Sequence, residues 1–209
     1  MPDEALERRR RNRTKGILNH RLHRWAQMIT DMSVKTVEQL CLACGLCCDG
    51  TLFDHVQLGP DDDAKKLKTL GLPVTVSRSQ PPVTRFRQPC AALCADRTCR
   101  LYADRPRQCR DFECGVYKDA KAGRISFTAA LRQVKKARQQ ADNIRRLLRA
   151  LGDTEEERPL GERFRRMQRR MESTITDEAA NHTFAELGLA VHAFNLLAHK
   201  KFYTKADAP

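Results

Sequence analysis

Cys41-Leu42-Ala43-Cys44-Gly45-Leu46-Cys47-Cys48 is the stretch on which the reading of this chain turns. A C-x-x-C pair lets two thiolates converge on one metal, because a tight turn points both side chains inward. Gly45 supplies backbone freedom where such a turn must bend sharply. Extending the pair to C-x-x-C-x-x-C gives the three-ligand edge of an iron–sulfur run. Cys47 and Cys48 are adjacent, so their side chains diverge in most backbone conformations. They are therefore expected to serve different centres or different corners of one. Continued as a helical turn, the stretch would put Cys41, Cys44 and Cys48 on one face and leave Cys47 looking elsewhere.

Five more cysteines follow, at 90, 94, 99, 109 and 114, so all nine fall within 41–114. The count is odd, so complete intramolecular disulfide pairing would leave one over. The N-terminal residues contain no apolar signal segment, and no apolar run approaches the roughly 18 residues that cross a bilayer. The expected location is the cytoplasm, where thiols stay reduced and a dense cluster holds metal rather than disulfides. Both zinc and iron–sulfur centres suit an all-thiolate site, with iron slightly favoured. A zinc ion or a dicationic four-iron cluster on four thiolates carries a formal charge of about −2, which calls for donors and positive charge around it. Arg97, Arg100, Arg105, Arg107 and Arg110 lie among the second cysteine group and are candidates for that surround. Asp49, Asp54 and His55 lie beside the first group, where they read as neighbours of the site rather than ligands.

Outward from the cysteines the chain becomes helical. Leu18, Leu22, Trp25, Ile29 and Met32 make one apolar stripe before the first cysteine. After the last, Val134, Ala137, Ala141, Ile144, Leu148 and Leu151 mark a long helix ended by Gly152. Leu160, Phe164, Met167, Met171 and Ile175 mark a second, with Thr154 and Glu157 as a capping box. Phe184, Leu187, Val191, Phe194 and Ala198 mark a third. Within the cysteine region, Phe53, Val56 and Leu58 predict a short strand, as does the stretch 74–77. Asp61 or Asp62 is expected to cap a short helix running to about Leu70. The expectation is a mainly α protein with a small irregular α+β cysteine-rich metal-binding module. An N-terminal basic helix (1–40) precedes the module (41–118), and a C-terminal helical region (119–209) follows it, with helices from both flanks packing together.

The 209 residues carry 39 Lys and Arg against 26 Asp and Glu, a net charge of +13, which favours anionic partners. Residues 121–150 hold nine basic residues and one acid. Nucleic-acid binding through that helix is therefore a second reading, although the aromatics do not interleave with the basic runs as base stacking requires.

Three segments together carry a family resemblance: 41–48, Cys90-Ala91-Ala92-Leu93, and 99–114 with Tyr102, Arg105, Pro106, Arg110 and Phe112. The pattern resembles the CxxCxxCC cysteine-cluster family of zinc- or iron-chelating domains, which includes flagellin lysine N-methylase-like proteins. Carried over residue by residue, the resemblance implies eight metal ligands: Cys41, Cys44, Cys47, Cys48, Cys90, Cys99, Cys109 and Cys114. Cys94 has no counterpart and is the odd thiol. The resemblance also implies a third reading, a protein-modifying methylase. The sequence supports it little. It has no G-x-G loop after a strand to cradle adenosylmethionine. Thr51 and Arg97 stand where the two partial C-x-x-x-C-x-x-C runs need a third cysteine.

Overall fold

The computed structural model describes residues 37, 39–173 and 177–204. The expected stripe from Leu18 to Met32 lies outside the described residues, as does Ile175. The described residues make up one compact unit.

Helix α1 (Gln39–Cys44) is short and ends at Gly45, whose φ of +68° turns the chain away from the helical path. Three short antiparallel strands follow: β1 (His55–Gln57), β2 (Thr75–Val76) and β3 (Thr84–Arg87), in spatial order β1-β3-β2. Val56 on β1 faces Phe86 on β3 across the ladder, and both are buried. Helix α2 (Ala64–Thr69) lies between β1 and β2 in sequence. Its cap is Asp63, which accepts from the Lys66 amide at 2.8 Å, and not Asp61 or Asp62. Asp62 is engaged elsewhere. Its two carboxylate oxygens accept from the amides of Gly59 and Arg107, each at 2.8 Å, tying the strand–helix turn to the second cysteine group. Strand β3 was not legible in the sequence, because only Phe86 of its four residues is buried.

A 3-10 turn (Tyr102–Asp104) leads into α3 (Arg107–Asp111) and α4 (Gly115–Lys121), which carry the last two cysteines on or beside them. Helix α5 (Phe127–Ala150) begins at Ser126, whose hydroxyl accepts from the Ala129 amide. It ends in a Schellman motif: Gly152 has φ +81°, its amide donates to Arg149, and the Asp153 amide donates to Leu148. Helix α6 (Leu160–Ser173) starts directly after Pro159. The expected Thr154–Glu157 capping box is not formed. Instead Glu155 accepts from Arg158 and Arg166, and the first free amide of α6, Leu160, donates to the Gly50 carbonyl at 2.8 Å. Helix α7 (Glu178–Lys201) is capped by Asp177.

The chain is mainly α with a small β part, as the sequence implied. Its apolar interior is in two pieces. The larger joins α1, the loop after it, α5, α6 and α7. Ala130, Ala137 and Ala141 on α5 are fully buried there, and side chains that small allow close helix approach to Leu187, Phe194 and Ala198 of α7. The smaller piece, around the sheet, holds Val56, Leu67, Leu72, Val74, Phe86, Ala92 and Leu101.

Gly115 shows how tightly the C-terminal end is seated against the cysteine region. A Cβ there would lie 2.6 Å from the Lys201 carbonyl oxygen, and the Gly115 amide donates to Phe202 O at 2.9 Å. The obstructing oxygen is backbone, so it cannot swing aside. Gly115→Ala is expected to destabilise the fold by about 1–3 kcal/mol, read as a lowered urea midpoint.

Candidate metal centre

The eight cysteines of the family pattern line one cavity of about 150 Å³. Cys94 is not among its lining residues. None of the nine cysteines forms a disulfide. Phe53, Phe86, Tyr102, Phe112, Tyr117 and Phe202 complete the walls, so the thiols face an apolar space.

Their grouping differs from the helical-face expectation. Cys47, and not Cys48, stands with Cys41 and Cys44, and these three meet Cys114: each of the other three raises the pKa of the Cys47 thiol, as Cys48 does from next door in the chain. Cys48 meets Cys90, Cys99 and Cys109. The reason is Gly45. The helix stops there, Cys48 N donates to Gly45 O in a tight turn, and the Cys48 thiol comes beside those of Cys109, Cys90 and Cys99. The Cys90 amide then donates to Cys48 O at 2.8 Å, which brings the second cysteine group alongside. Packing repeats this division. Cys44, Cys47 and Cys114 pack against the helical core. Cys90, Cys99 and Cys109 pack against the sheet core.

Burial raises six of these thiols first, and neighbouring thiols raise most of the six further. Cys44, Cys48 and Cys109 are each pushed up to about 12. Cys47, Cys90 and Cys114 are raised as well, all chiefly by desolvation. Backbone donors oppose this. The amide of Leu46 bonds the Cys44 sulfur, those of Ala92 and Leu93 bond Cys90, and those of Val116 and Tyr117 bond Cys114. The Ala92 amide lies 3.4 Å from Cys90 Sγ. An N–H aimed at sulfur favours thiolate over thiol. The donors are thus set for charged sulfur, while burial and crowding hold the sulfurs neutral. A cation among them resolves that conflict, so the donor set fits zinc or iron.

The thiols line the cavity wall without closing on a point. Among the described residues, no group of three or more His, Cys, Asp or Glu side chains is drawn together to hold a metal ion as it stands. Neutral sulfurs have no mutual attraction, so final closure depends on the cation itself.

The arginines of the second group act mainly on carbonyls. Arg97 donates to Cys44 O at 2.8 Å and pairs with Asp49 at 3.6 Å. Arg100 reaches Leu70 O and Ala91 O. Arg105 donates to Tyr102 O, lies 3.7 Å over the Tyr102 ring, and offsets the crowding at Cys109. Arg110 donates to Arg105 O. Arg107 donates its backbone amide to Asp62 and its Nε to Asp111. Tyr102 is half exposed, and Phe112 packs edge-on against Phe53 at 5.0 Å.

Two residues that sequence reasoning did not assign to the site, Arg138 and Arg145, complete it together with Asp49. Asp49 lies between Arg97 and Arg145 and also accepts from the Thr51 amide. Arg145, on α5, is 3.1 Å from Asp49 and 2.6 Å from Thr51 Oγ1. Arg138, one helical face along, donates to Ala43 O at 3.0 Å. The long helix therefore holds the carbonyls and acid of the first cysteine turn from behind. Only the placement of Arg138 and Arg145 at a seven-residue interval on the inner side of α5 hinted at this.

That use of charge bears on the nucleic-acid reading. Six of the nine basic residues in 121–150 have partners within the fold: Lys121 with Glu113, Arg124 with Asp119, Arg138 with Ala43 O, Arg145 with Asp49, Arg146 with Glu186 and Arg149 with Glu156. The expected basic face is largely engaged with the protein's own acids and carbonyls. Among the described residues, no helix is long and apolar enough to cross a membrane.

The model of one protein family matches residues 40–142, under the description "CxxCxxCC: Putative zinc- or iron-chelating domain". Residues 40–142 belong to the CxxCxxCC family. The CxxCxxCC domain therefore reaches past the last cysteine into α5 and takes in Arg138. Comparisons with curated proteins and with solved structures gave no match.

Arg97 offers a local test of the site's construction. It has φ +70°, in the left-handed region that disfavours a side chain. Arg97→Ala loses the bond to Cys44 O and keeps the unfavourable backbone. Removing such a charge-assisted bond costs about 1.5–3 kcal/mol. Arg97→Gly loses the same bond but relieves the backbone, so it is expected to be about 1 kcal/mol more stable than the alanine variant. Urea unfolding of the two variants checks the order.

The helix-side thiols also predict a pH dependence of the metal-free chain. Cys44, at about 12, lies above the ordinary 9.0, and Cys47 and Cys114 are raised as well, so folding favours the neutral form. That stabilisation is fully present below pH 9 and is lost as pH rises toward about 12. With chelator present, the urea midpoint is expected to be flat from pH 7 to 8.5 and to fall above 9.

Proposed function

We propose that this is a metal-binding protein whose eight cavity-lining cysteines hold zinc or an iron–sulfur centre, in a structural or redox role, within the reducing cytoplasm. The observation that carries the reading is the convergence of those eight thiols, without Cys94, on one apolar cavity with backbone amides aimed at several of the sulfurs. Cys41, Cys44, Cys47, Cys48, Cys90, Cys99, Cys109 and Cys114 are the proposed ligands. Bound zinc would cross-link the segments that supply the sulfurs; an iron–sulfur centre would add the capacity to take up and release an electron. The aromatic walls limit water at the sulfurs other than that of the exposed Cys41, and Arg97, Arg100 and Arg105 place positive charge around an anionic centre. Iron is slightly favoured by the C-x-x-C-x-x-C spacing.

Neither alternative draws support from the fold. A sheet of three short antiparallel strands gives adenosylmethionine no parallel strand–loop–helix crevice among the described residues. On the basic helix Arg138 and Arg145 turn inward, and Arg146 and Arg149 pair with surface acids.

Anaerobic purification followed by metal and sulfide analysis tests the proposal. Bound zinc, or bound iron with sulfide and a visible chromophore, is the expected result. A chain that binds neither after anaerobic reconstitution overturns it. Colourless protein holding zinc alone removes the redox role.

A further inference from the structure

We propose that the eight cysteines form two separate four-thiolate centres, one on each side of the Cys47–Cys48 peptide. The inference rests on the metal-binding reading above and goes beyond it by dividing the ligands. Cys41, Cys44, Cys47 and Cys114 make the helix-side centre. Cys48, Cys90, Cys99 and Cys109 make the sheet-side centre.

Three independent observations divide the thiols in the same way. The first is packing: three thiols of one set lie against the helical core, and three of the other lie against the sheet core. The second is the backbone. Gly45 ends α1 and sends Cys48 away from Cys44, and the Cys90 amide then docks on the Cys48 carbonyl. The third is electrostatic neighbourhood. Cys48 is crowded by Cys109, Cys90 and Cys99, while Cys44 is crowded by Cys114 and Cys41.

Ligand chemistry then sets the count. A zinc ion or a cubane cluster takes about four cysteine sulfurs, so eight thiols fill two sites. The side chains of adjacent cysteines diverge in most backbone conformations, so a division between Cys47 and Cys48 suits the chain. The elements served also differ. The helix-side centre fastens α1 to the start of α4. The sheet-side centre fastens the turn after α1 to the Cys90–Cys99 loop and α3, and so closes the small sheet module.

The Arg97–Asp49–Arg145 chain lies where the two sets meet. Asp49 follows Cys48, Arg97 comes from the loop between Cys94 and Cys99, and its guanidinium holds the carbonyl of Cys44. One side chain thus spans both centres without belonging to either, which fixes their separation.

Anaerobic titration of the full chain with Co(II), whose tetrathiolate complexes are coloured, tests the division. The wild-type chain is expected to saturate at two equivalents with a constant spectrum per cobalt. The Cys90→Ala/Cys109→Ala variant is expected to saturate at one equivalent and to keep its far-ultraviolet helical signal. The Cys47→Ala/Cys114→Ala variant also keeps one equivalent if it folds, and Cys94→Ala keeps two. Wild-type saturation at one equivalent overturns the division and leaves chelation standing. Wild-type uptake of none overturns the metal-binding reading itself. A Cys90→Ala/Cys109→Ala variant that binds two equivalents, or binds none, or loses its helical signal, also overturns the division.

Discussion

Removing the bound metal is expected to unfold residues 52–109 while leaving the middle of α5 and α7 intact. The sheet module cannot stand on its own interior. Its strands are three, two and four residues long, and its core holds seven buried apolar side chains, one of them alanine. Short strands with so little apolar cover are marginal in water. A structural metal on four thiolates supplies about 10–16 kcal/mol of folding free energy at neutral pH, far more than such a core provides. The helical core is different. Ala130, Val134, Ala141, Ile144 and Leu148 of α5 share one cluster of eighteen buried apolar side chains with Leu187, Phe194 and Ala198 of α7, and the cysteines only border it. Hydrogen exchange with and without chelator separates the two regions. Amides of Val56, Arg85 and Phe86 should lose protection by several orders of magnitude, and those of 137–148 should retain it. Continued protection of the sheet in a verified metal-free chain would contradict the account.

Asp153→Ala is expected to cost about 3–5 kcal/mol, the largest effect of any single substitution away from the cysteines. Arg163 on α6 is 3 % exposed and Asp153, just past the end of α5, is 6 % exposed. Arg163 Nε donates to Asp153 Oδ2 at 2.7 Å. Its Nη2 lies 2.6 Å from the same oxygen but off the hydrogen-bond direction, so the pair depends on one well-aligned bond plus charge. Truncating the acid leaves a guanidinium buried between two helices with no counter-charge. A loss of that size is a large part of the about 5–15 kcal/mol that holds a domain together. Replacing both partners with apolar residues of similar size should cost much less, because the burial of charge disappears with the pair. Urea unfolding of Asp153→Ala, Arg163→Met and the Asp153→Leu/Arg163→Met double variant measures this. Additive losses would show that the pair is not coupled.

The helical part of the fold was legible because periodicity survives there. The stripe from Val134 to Leu148 became the buried face of α5, and Leu187, Phe194 and Ala198 became that of α7. Gly152 ends α5 as its position required. Around the cysteines, pattern carries less information. The eight thiols that face the cavity match the family spacing, yet whether Cys47 or Cys48 joins Cys41 depends on one residue, Gly45. A glycine after a short helix can continue the turn or reverse it, and only tertiary packing decides. Strand β3 has one buried residue in four, so no alternation exists to read. Asp49 and Arg145 are 96 positions apart, and Asp153 and Arg163 lie in a run dense with charge, where nothing local marks a buried pair.

X-ray absorption at the metal edge of the anaerobically purified full-length chain tests the central claim most directly. The account predicts a first shell of four sulfurs per metal at about 2.3 Å, unchanged in Cys94→Ala. A first shell dominated by nitrogen or oxygen would contradict it.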